Sequence, residues 1–407
     1  MNETLYQAIG DINETYVLEA EQLQVTQKSS RKPARRVWGL VAACLVLVAA
    51  VGAWGHFSSG EFLLGETNVT VIGGVERNYK QDGVSATEIS IIWPWEYLTV
   101  YEKHSSMTFD GRSYRTRVNI IPEELLDEVL GTCVAENYDI YSDTTYTEVF
   151  EVRKILGVAQ EHLVAVRLED VYYVYICTDN EFPATLGQMF EVFDLPMTLH
   201  LERYAVCEGH KDKGYYEVLD DSSVWQILSE CADAKRVENE DDWSWGMGDR
   251  NYLSFTITSE ALGIYKKVLY ITEDGYFWTN LAEYAYLYEI GEDAARKIIS
   301  YVKENSVKAE MEPYEYRLAG TLVAIEDGYV LIDDTVLCRD PEEGMVFKVP
   351  TDDIRIRRCI EFGGIDEGDM VVVSFRGEIA VEEENTIRGA VDMNEGVLMD
   401  GHVAVPE

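Results

Sequence analysis

Val37-Trp-Gly-Leu-Val-Ala-Ala-Cys-Leu-Val-Leu-Val-Ala-Ala-Val-Gly-Ala-Trp54 carries no charged side chain, and the next one downstream is Glu61. About 20 residues at ~1.5 Å rise cross a ~30 Å hydrocarbon layer, so this run has the length of a membrane-spanning helix. Trp38 and Trp54 stand where indole rings prefer to sit, and Arg31-Lys-Pro-Ala-Arg-Arg36 supplies the basic flank of a cytoplasmic side. The expectation is a single-pass membrane protein with residues 1–36 inside, a helix at 37–57, and the bulk extracytoplasmic. Two rivals stay open. A signal peptide cleaved after Val51-Gly-Ala53 would need a far shorter lead than the 36 residues that precede the run. Val41-Ala-Ala-Cys44 looks like a lipoprotein box, yet the apolar stretch before it is too short for a signal core.

The 407 residues include 34 basic and 74 acidic groups, a formal net charge of −40. Residues 1–36 hold five of each sign, so the remaining 29 basic and 69 acidic groups place the whole excess downstream. Such acidity repels phosphate backbones and anionic lipid, which argues against nucleic acid as a partner; it serves solubility and could favour cationic ligands. The length allows two or three domains beside the apolar run. Cys133, Cys177, Cys207, Cys231, Cys338 and Cys359 are spread singly, without CxxC pairs, and are expected as buried thiols, a bridge being left open.

Leu5, Ile9, Ile12, Tyr16, Ala20 and Leu23 recur at helical spacing, forming one apolar stripe in the tail 1–36. A lone stripe has no core of its own, so Leu5, Ile9, Ile12 and Tyr16 are candidates for contact with a cytoplasmic protein partner. The inner membrane face and a disordered lead-in are the alternatives. Residues 58–87 read as a polar stalk. Residues 89–101, aromatic and β-branched but broken by Pro94, read as an edge strand or as two short strands. Asp110-Gly111 marks a hairpin. Pro122 heads an expected helix to Ala135 with Leu125, Val129 and Cys133 on one face. Strands follow at 146–153, 163–168 and 171–177.

An internal repeat organises the middle of the chain. Tyr175, Ile176, Asp179, Phe182 and Leu186 match Tyr270, Ile271, Asp274, Phe277 and Leu281 at a constant offset of 95. Residues 192–195 resemble 287–290, and 129–133 resemble 227–231. The repeat predicts a duplicated α+β domain, 88–205 and 206–308, with mainly antiparallel sheet and a closing helix at 294–303. Past a charged linker, 314–407 is nearly all β, with a hairpin at Asp327-Gly328 and strands at 345–349, 367–379 and 386–391. Five strands in so short a span fit a small closed barrel. The stretches at 320–332 and 367–379 resemble the OB-like barrel of Gram-positive membrane proteins and lipoproteins.

The chemistry-bearing motifs are sparse. Nucleophile elbow, HExxH, phosphate loop and EF-hand patterns are missing, so no catalytic, cofactor or metal residues are assigned and no enzyme is expected. His200, Glu202, Cys207 and His210 fit no standard zinc spacing. Asp220, Asp221 and the acidic run 238–242 read as solvated loops rather than calcium sites. Trp93 with Trp95, and Trp243 with Trp245, would each share one strand face, a candidate aromatic platform for an envelope ligand such as carbohydrate.

The tail, basic patch, single apolar helix and large outer region together resemble the transmembrane anti-sigma factors of Firmicutes, on residues 1–55 and topology. Their zinc-binding branch is excluded, because residues 1–36 contain neither His nor Cys. The resemblance implies a sensory or regulatory protein with a sigma factor as cytoplasmic partner. The alternative is a cell-envelope binding module for carbohydrate or protein that carries no signal.

Overall fold

Leu163-Val-Ala-Val-Arg-Leu168 and Val171-Tyr-Tyr-Val-Tyr-Ile-Cys177 run apolar at nearly every position, the pattern of strands buried on both faces. The computed structural model describes residues 70–80, 83–86, 91–209, 211–237, 250–282, 284–311 and 313–399. It pairs these two strands and sends their faces into different cores: Leu163, Ala165, Val174 and Ile176 into one, Val164, Val166, Tyr173 and Tyr175 into another. The chain divides into Met1–Glu61 and Phe62–Glu407, and every described residue belongs to the second unit.

In chain order, β1 (Thr70–Ile72) and β2 (Val75–Arg77) form a hairpin, and β3 (Gly83–Ala86) follows. Helix α1 (Val100–Lys103) precedes β4 (Ser106–Phe109), β5 (Arg112–Ile121), β6 (Leu126–Asp139), β7 (Thr144–Ile155), β8 (Leu163–Leu168) and β9 (Val171–Cys177). These six strands close into a barrel in the order β4-β5-β9-β8-β7-β6. Helices α2 (Leu186–Phe193) and α3 (Leu195–Thr198) lead into β10 (His200–Glu208), β11 (Lys211–Val218), α4 (Ser222–Glu230), β12 (Asn251–Ser259), β13 (Ile264–Thr272), β14 (Tyr276–Ala282), β15 (Tyr284–Glu289), α5 (Glu292–Glu304) and β16 (Ser306–Ala309). That sheet is antiparallel, ordered β15-β14-β13-β12-β10-β11-β16. Met189 and Phe193 of α2, Trp225 and Leu228 of α4, and Ile298 and Val302 of α5 share one core with Phe255, Leu269 and Phe277 of the sheet. The outer faces of β8 and β9 complete it, so barrel and sheet are packed together.

The C-terminal body comprises β17 (Tyr316–Glu326), β18 (Tyr329–Asp333), β19 (Val346–Pro350), α6 (Ile354–Glu361), β20 (Met370–Phe375), β21 (Ile379–Ala380), β22 (Thr386–Ile387) and β23 (Ala390–Met399). With β3 they form an eight-stranded sheet, β21-β22-β19-β18-β17-β20-β23-β3. The early strand β3 pairs with the last, Val84 opposite Leu398. A buried cluster fixes this long-range closure. Asp334, fully buried, accepts hydrogen bonds from Arg77 Nε (2.8 Å) and Nη2 (2.7 Å), Tyr79 Oη (2.8 Å) and Met345 N (2.8 Å).

Several expectations are corrected. Strand makes up 50% and helix 19% of the described residues, so the α+β class gives way to a mainly β one. The single membrane-spanning helix is corrected with it: among the described residues no helix is long and apolar enough to cross a membrane. Residues 37–57, like the tail 1–36, lie outside the described residues. The duplication fails because matched stretches differ in structure: 129–133 is strand where 227–230 is helix, and 192–193 is helix where 287–289 is strand. The closed barrel is at 106–177, whereas 316–399 supplies seven strands of the eight-stranded sheet and β3 the eighth. Within the expected stalk, 70–80 and 83–86 are tied to the C-terminal body by the Asp334 cluster and β23. The expected helix at 122–135 is a short 3-10 turn, Glu123–Leu125, followed by β6, whose register shifts near Val129 absorb the irregular apolar spacing.

Candidate functional site

Residues 89–101 were expected as an edge strand or two short strands; the described part, 91–101, instead forms with 102–104 a strap of turns. Pro94 precedes a 3-10 turn at Trp95–Tyr97. Thr99 then starts α1 with a capping box: Glu102 N donates to Thr99 Oγ1 (3.2 Å) while Thr99 N donates to Glu102 Oε2 (2.7 Å). At the other end of α1, Asn137 Nδ2 donates to the Lys103 carbonyl (2.6 Å), and Tyr175 Oη donates to that of His104. Orphaned helix carbonyls are thereby satisfied by side chains from the barrel.

The strap lies against an arm. β6 and β7 pair along their length, but β7 pairs with β8 only at Val152–Val166 and Arg153–Ala165, and β6 pairs with β4 only at Thr108–Val134. The hairpin beyond those points, 134–149, therefore leaves the barrel as a two-stranded arm. The register pairs Ala135 with Glu148 and Asn137 with Tyr146 on one face, Val134 with Val149 on the other. The first face meets the strap. Trp95 stacks on Tyr146 with ring centroids 4.0 Å apart and planes 12° from parallel, and the His104 ring stands edge-on to Phe150 at 4.7 Å. At the tip, Asp139 accepts from Tyr141 N and Ser142 Oγ, and Tyr141 Oη donates to the Ile92 carbonyl (2.6 Å).

Between strap, β7 and the end of β8 lies a cleft of about 510 Å³, lined by Trp95, Lys103 and His104 on one side and Glu148, Phe150 and Arg167 among those on the other. His104 is 6% exposed, its Nε2 3.7 Å from Glu148 Oε2. Burial draws the imidazole below its ordinary pKa, with Lys103 pushing the same way and Glu148 and Glu169 opposing, so the ring is neutral near pH 7. Lys103 Nζ sits 5.5 Å from the Trp95 ring centroid. The lining contains no Ser, Thr or Cys. The nearest thiol in sequence register, Cys133 opposite Phe150, is buried and pushed up to about 11, which leaves it protonated and inert. The arrangement can stack, hydrogen-bond and pair with charge.

The strap's other side is bound to the C-terminal body. Arg358 Nη1 of α6 donates to both Glu102 oxygens (3.0 and 2.9 Å). Its guanidinium also lies 4.7 Å from the Trp93 ring, and Trp93 and Tyr97 both touch Phe362. Trp93 and Trp95 thus part company, one facing α6 and the other the cleft, and do not make the shared platform expected of them. Trp243 and Trp245, with Leu5, Ile9, Ile12 and Tyr16, lie outside the described residues. His200 and Glu202 are exposed while Cys207 is buried, and Asp220 and Asp221 are engaged by Tyr301, Leu201 and Trp225. No known protein family, curated protein or solved structure matches the chain. His104 escaped sequence reasoning because a lone histidine has no motif; the Thr99-x-x-Glu102 box was the available signal for the strap.

Proposed function

We propose that the chain is a non-catalytic binding protein of sensory or regulatory type, with its ligand site in the cleft between the strap and β7. The observation that carries this reading is the strap itself, which lines the cleft through Trp95, Lys103 and His104 and is held from behind by Arg358. A ligand pressing on the strap therefore acts on α6 through Arg358, which holds Glu102 and lies over Trp93, and on Phe362 just beyond α6 through Trp93 and Tyr97. A binding module without signalling is the second reading, and it leaves Arg358 a purely structural role.

The test is retention. Pools of random decapeptides and of envelope glycans are passed over the immobilised full-length protein and over its Trp95→Ala variant. Retention of a ligand by the wild type, loss of it in the variant, and recovery of that ligand chemically unchanged support the proposal. Retention of nothing that depends on Trp95, or recovery of a converted product, contradicts it.

A further inference from the structure

We infer, resting on the binding reading above, that the ligand is an extended peptide carrying lysine or arginine, which adds as a strand to the free edge of β7. Among the described residues, 144–151 pair with β6 on one side and with nothing on the other. This row of backbone donors and acceptors borders the cleft, and an extended main chain is the chemistry that matches it.

The other sheet edges are blunted. β16 has four residues and includes Lys308; β3 has four residues and β21 two. β15 is bridged by Arg236 at Tyr288, and the outer edge of β6 meets β4 at Val134 and beyond it runs only to Asp139, with Asn137 donating to the Glu102 and Lys103 carbonyls of the strap. By contrast Thr144-Thr-Tyr-Thr-Glu-Val-Phe-Glu151 has no lysine, proline or glycine and is rich in residues that favour strand.

Register and charge narrow the occupant. On the strap-facing side an added strand lies beside Tyr146, Glu148 and Phe150; on the opposite side it lies beside Thr147, Val149 and Glu151, and Val149 and Glu151 at the edge also reach the cleft. Val149 is 64% exposed, an apolar side chain left without cover. Glu148, Glu151 and Glu169 line the cleft against Lys103 and Arg167, and Lys103 already sits over Trp95. The balance at the site is acidic, as it is for the whole chain at −40. Cationic side chains on the face of Glu148, where Tyr146 and Phe150 also offer aromatic rings, alternating with apolar ones on the face of the uncovered Val149, complement this edge.

The probe is a capped, fluorescein-labelled octapeptide of alternating valine and lysine, titrated against the full-length protein. Two further versions carry N-methyl groups on the odd or on the even residues. Strand addition uses the N–H groups of one set alone, so one methylated version should bind as the parent does and the other should lose about tenfold or more in affinity. Val149→Lys, which places a charge on the edge strand, and Glu148→Gln should each weaken the parent by about tenfold. A valine–glutamate octapeptide should not bind. Equal binding of both methylated versions, or of the acidic peptide, overturns the inference. So does a concentration-dependent dimer that Val149→Lys dissolves with no peptide bound, which would make the edge a self-interface. If the valine–lysine peptide fails while another ligand is retained through Trp95, the strand inference falls and the binding reading stands.

Discussion

Asp334 and Arg77 show how a single pair can hold together segments 257 positions apart. Both are buried, at 0% and 4% exposure, and a buried carboxylate left without its cation is costly. Asp334→Ala should destabilise the protein by about 3–5 kcal/mol in denaturant unfolding, whereas the double change Arg77→Met with Asp334→Leu should recover most of that loss. A double variant as weak as the single one would contradict this account of the pair. His104 carries a second prediction. Its folded pKa lies below the ordinary 6.5, so the unfolded chain binds more protons in the window beneath 6.5. The stability this contributes is complete above that pH and is lost as pH falls through the depressed value. Thermal unfolding of the wild type should therefore weaken from pH 7 to 5 more than that of His104→Gln, the depressed His162 being common to both. Parallel pH profiles would refute it. None of these three residues was legible in the sequence: Arg77 and Asp334 meet only in the folded chain, and His104 packs edge-on to Phe150 and accepts from Tyr175 through its carbonyl.

At the scale of elements, local signals were readable where local physics decides. Residues 163–168 and 171–177 form strands where their apolar runs placed them, Asp110-Gly111 and Asp327-Gly328 turn hairpins, and 294–303 falls within α5. The failures come where tertiary pairing overrides propensity. Glu123-Glu-Leu-Leu-Asp-Glu-Val129 favours helix by composition, yet most of it enters β6 because β7 supplies a partner. Trp93 and Trp95 looked like strand residues, but Pro94 and the Thr99–Glu102 capping box turn the chain there instead. The turn that joins β12 and β13 offers a test of barrel-on-sheet packing. Gly263 has φ +61, and a Cβ there would stand 2.5 Å from Val174 Cβ in β9. Gly263→Ala should cost about 2 kcal/mol or more, from left-handed backbone plus overpacking. A change within about 0.5 kcal/mol would mean that the two layers are not in firm contact there.

For the whole molecule, the sequence divided the chain by composition and missed that its parts interleave. β3 joins β23, and the strap runs between barrel and C-terminal body, contacts that leave no periodic trace. The same interleaving separates the two functional readings. Arg358→Met removes the ion pair to Glu102 and leaves the cleft lining intact, so peptide affinity should persist. The sensory reading further expects that peptide slows hydrogen exchange in α6 of the wild type and not in this variant; equal protection in both would favour the simple binding module. The central claim rests on the bare edge of β7, and hydrogen exchange of the full-length protein, resolved at single amides over 144–151, tests it most directly. In the free protein, amides aimed at β6 should be protected and the alternate ones should exchange fast, and the valine–lysine octapeptide should slow that fast set. Protection of every amide before peptide is added, or a fast set that peptide leaves unchanged, would contradict the account.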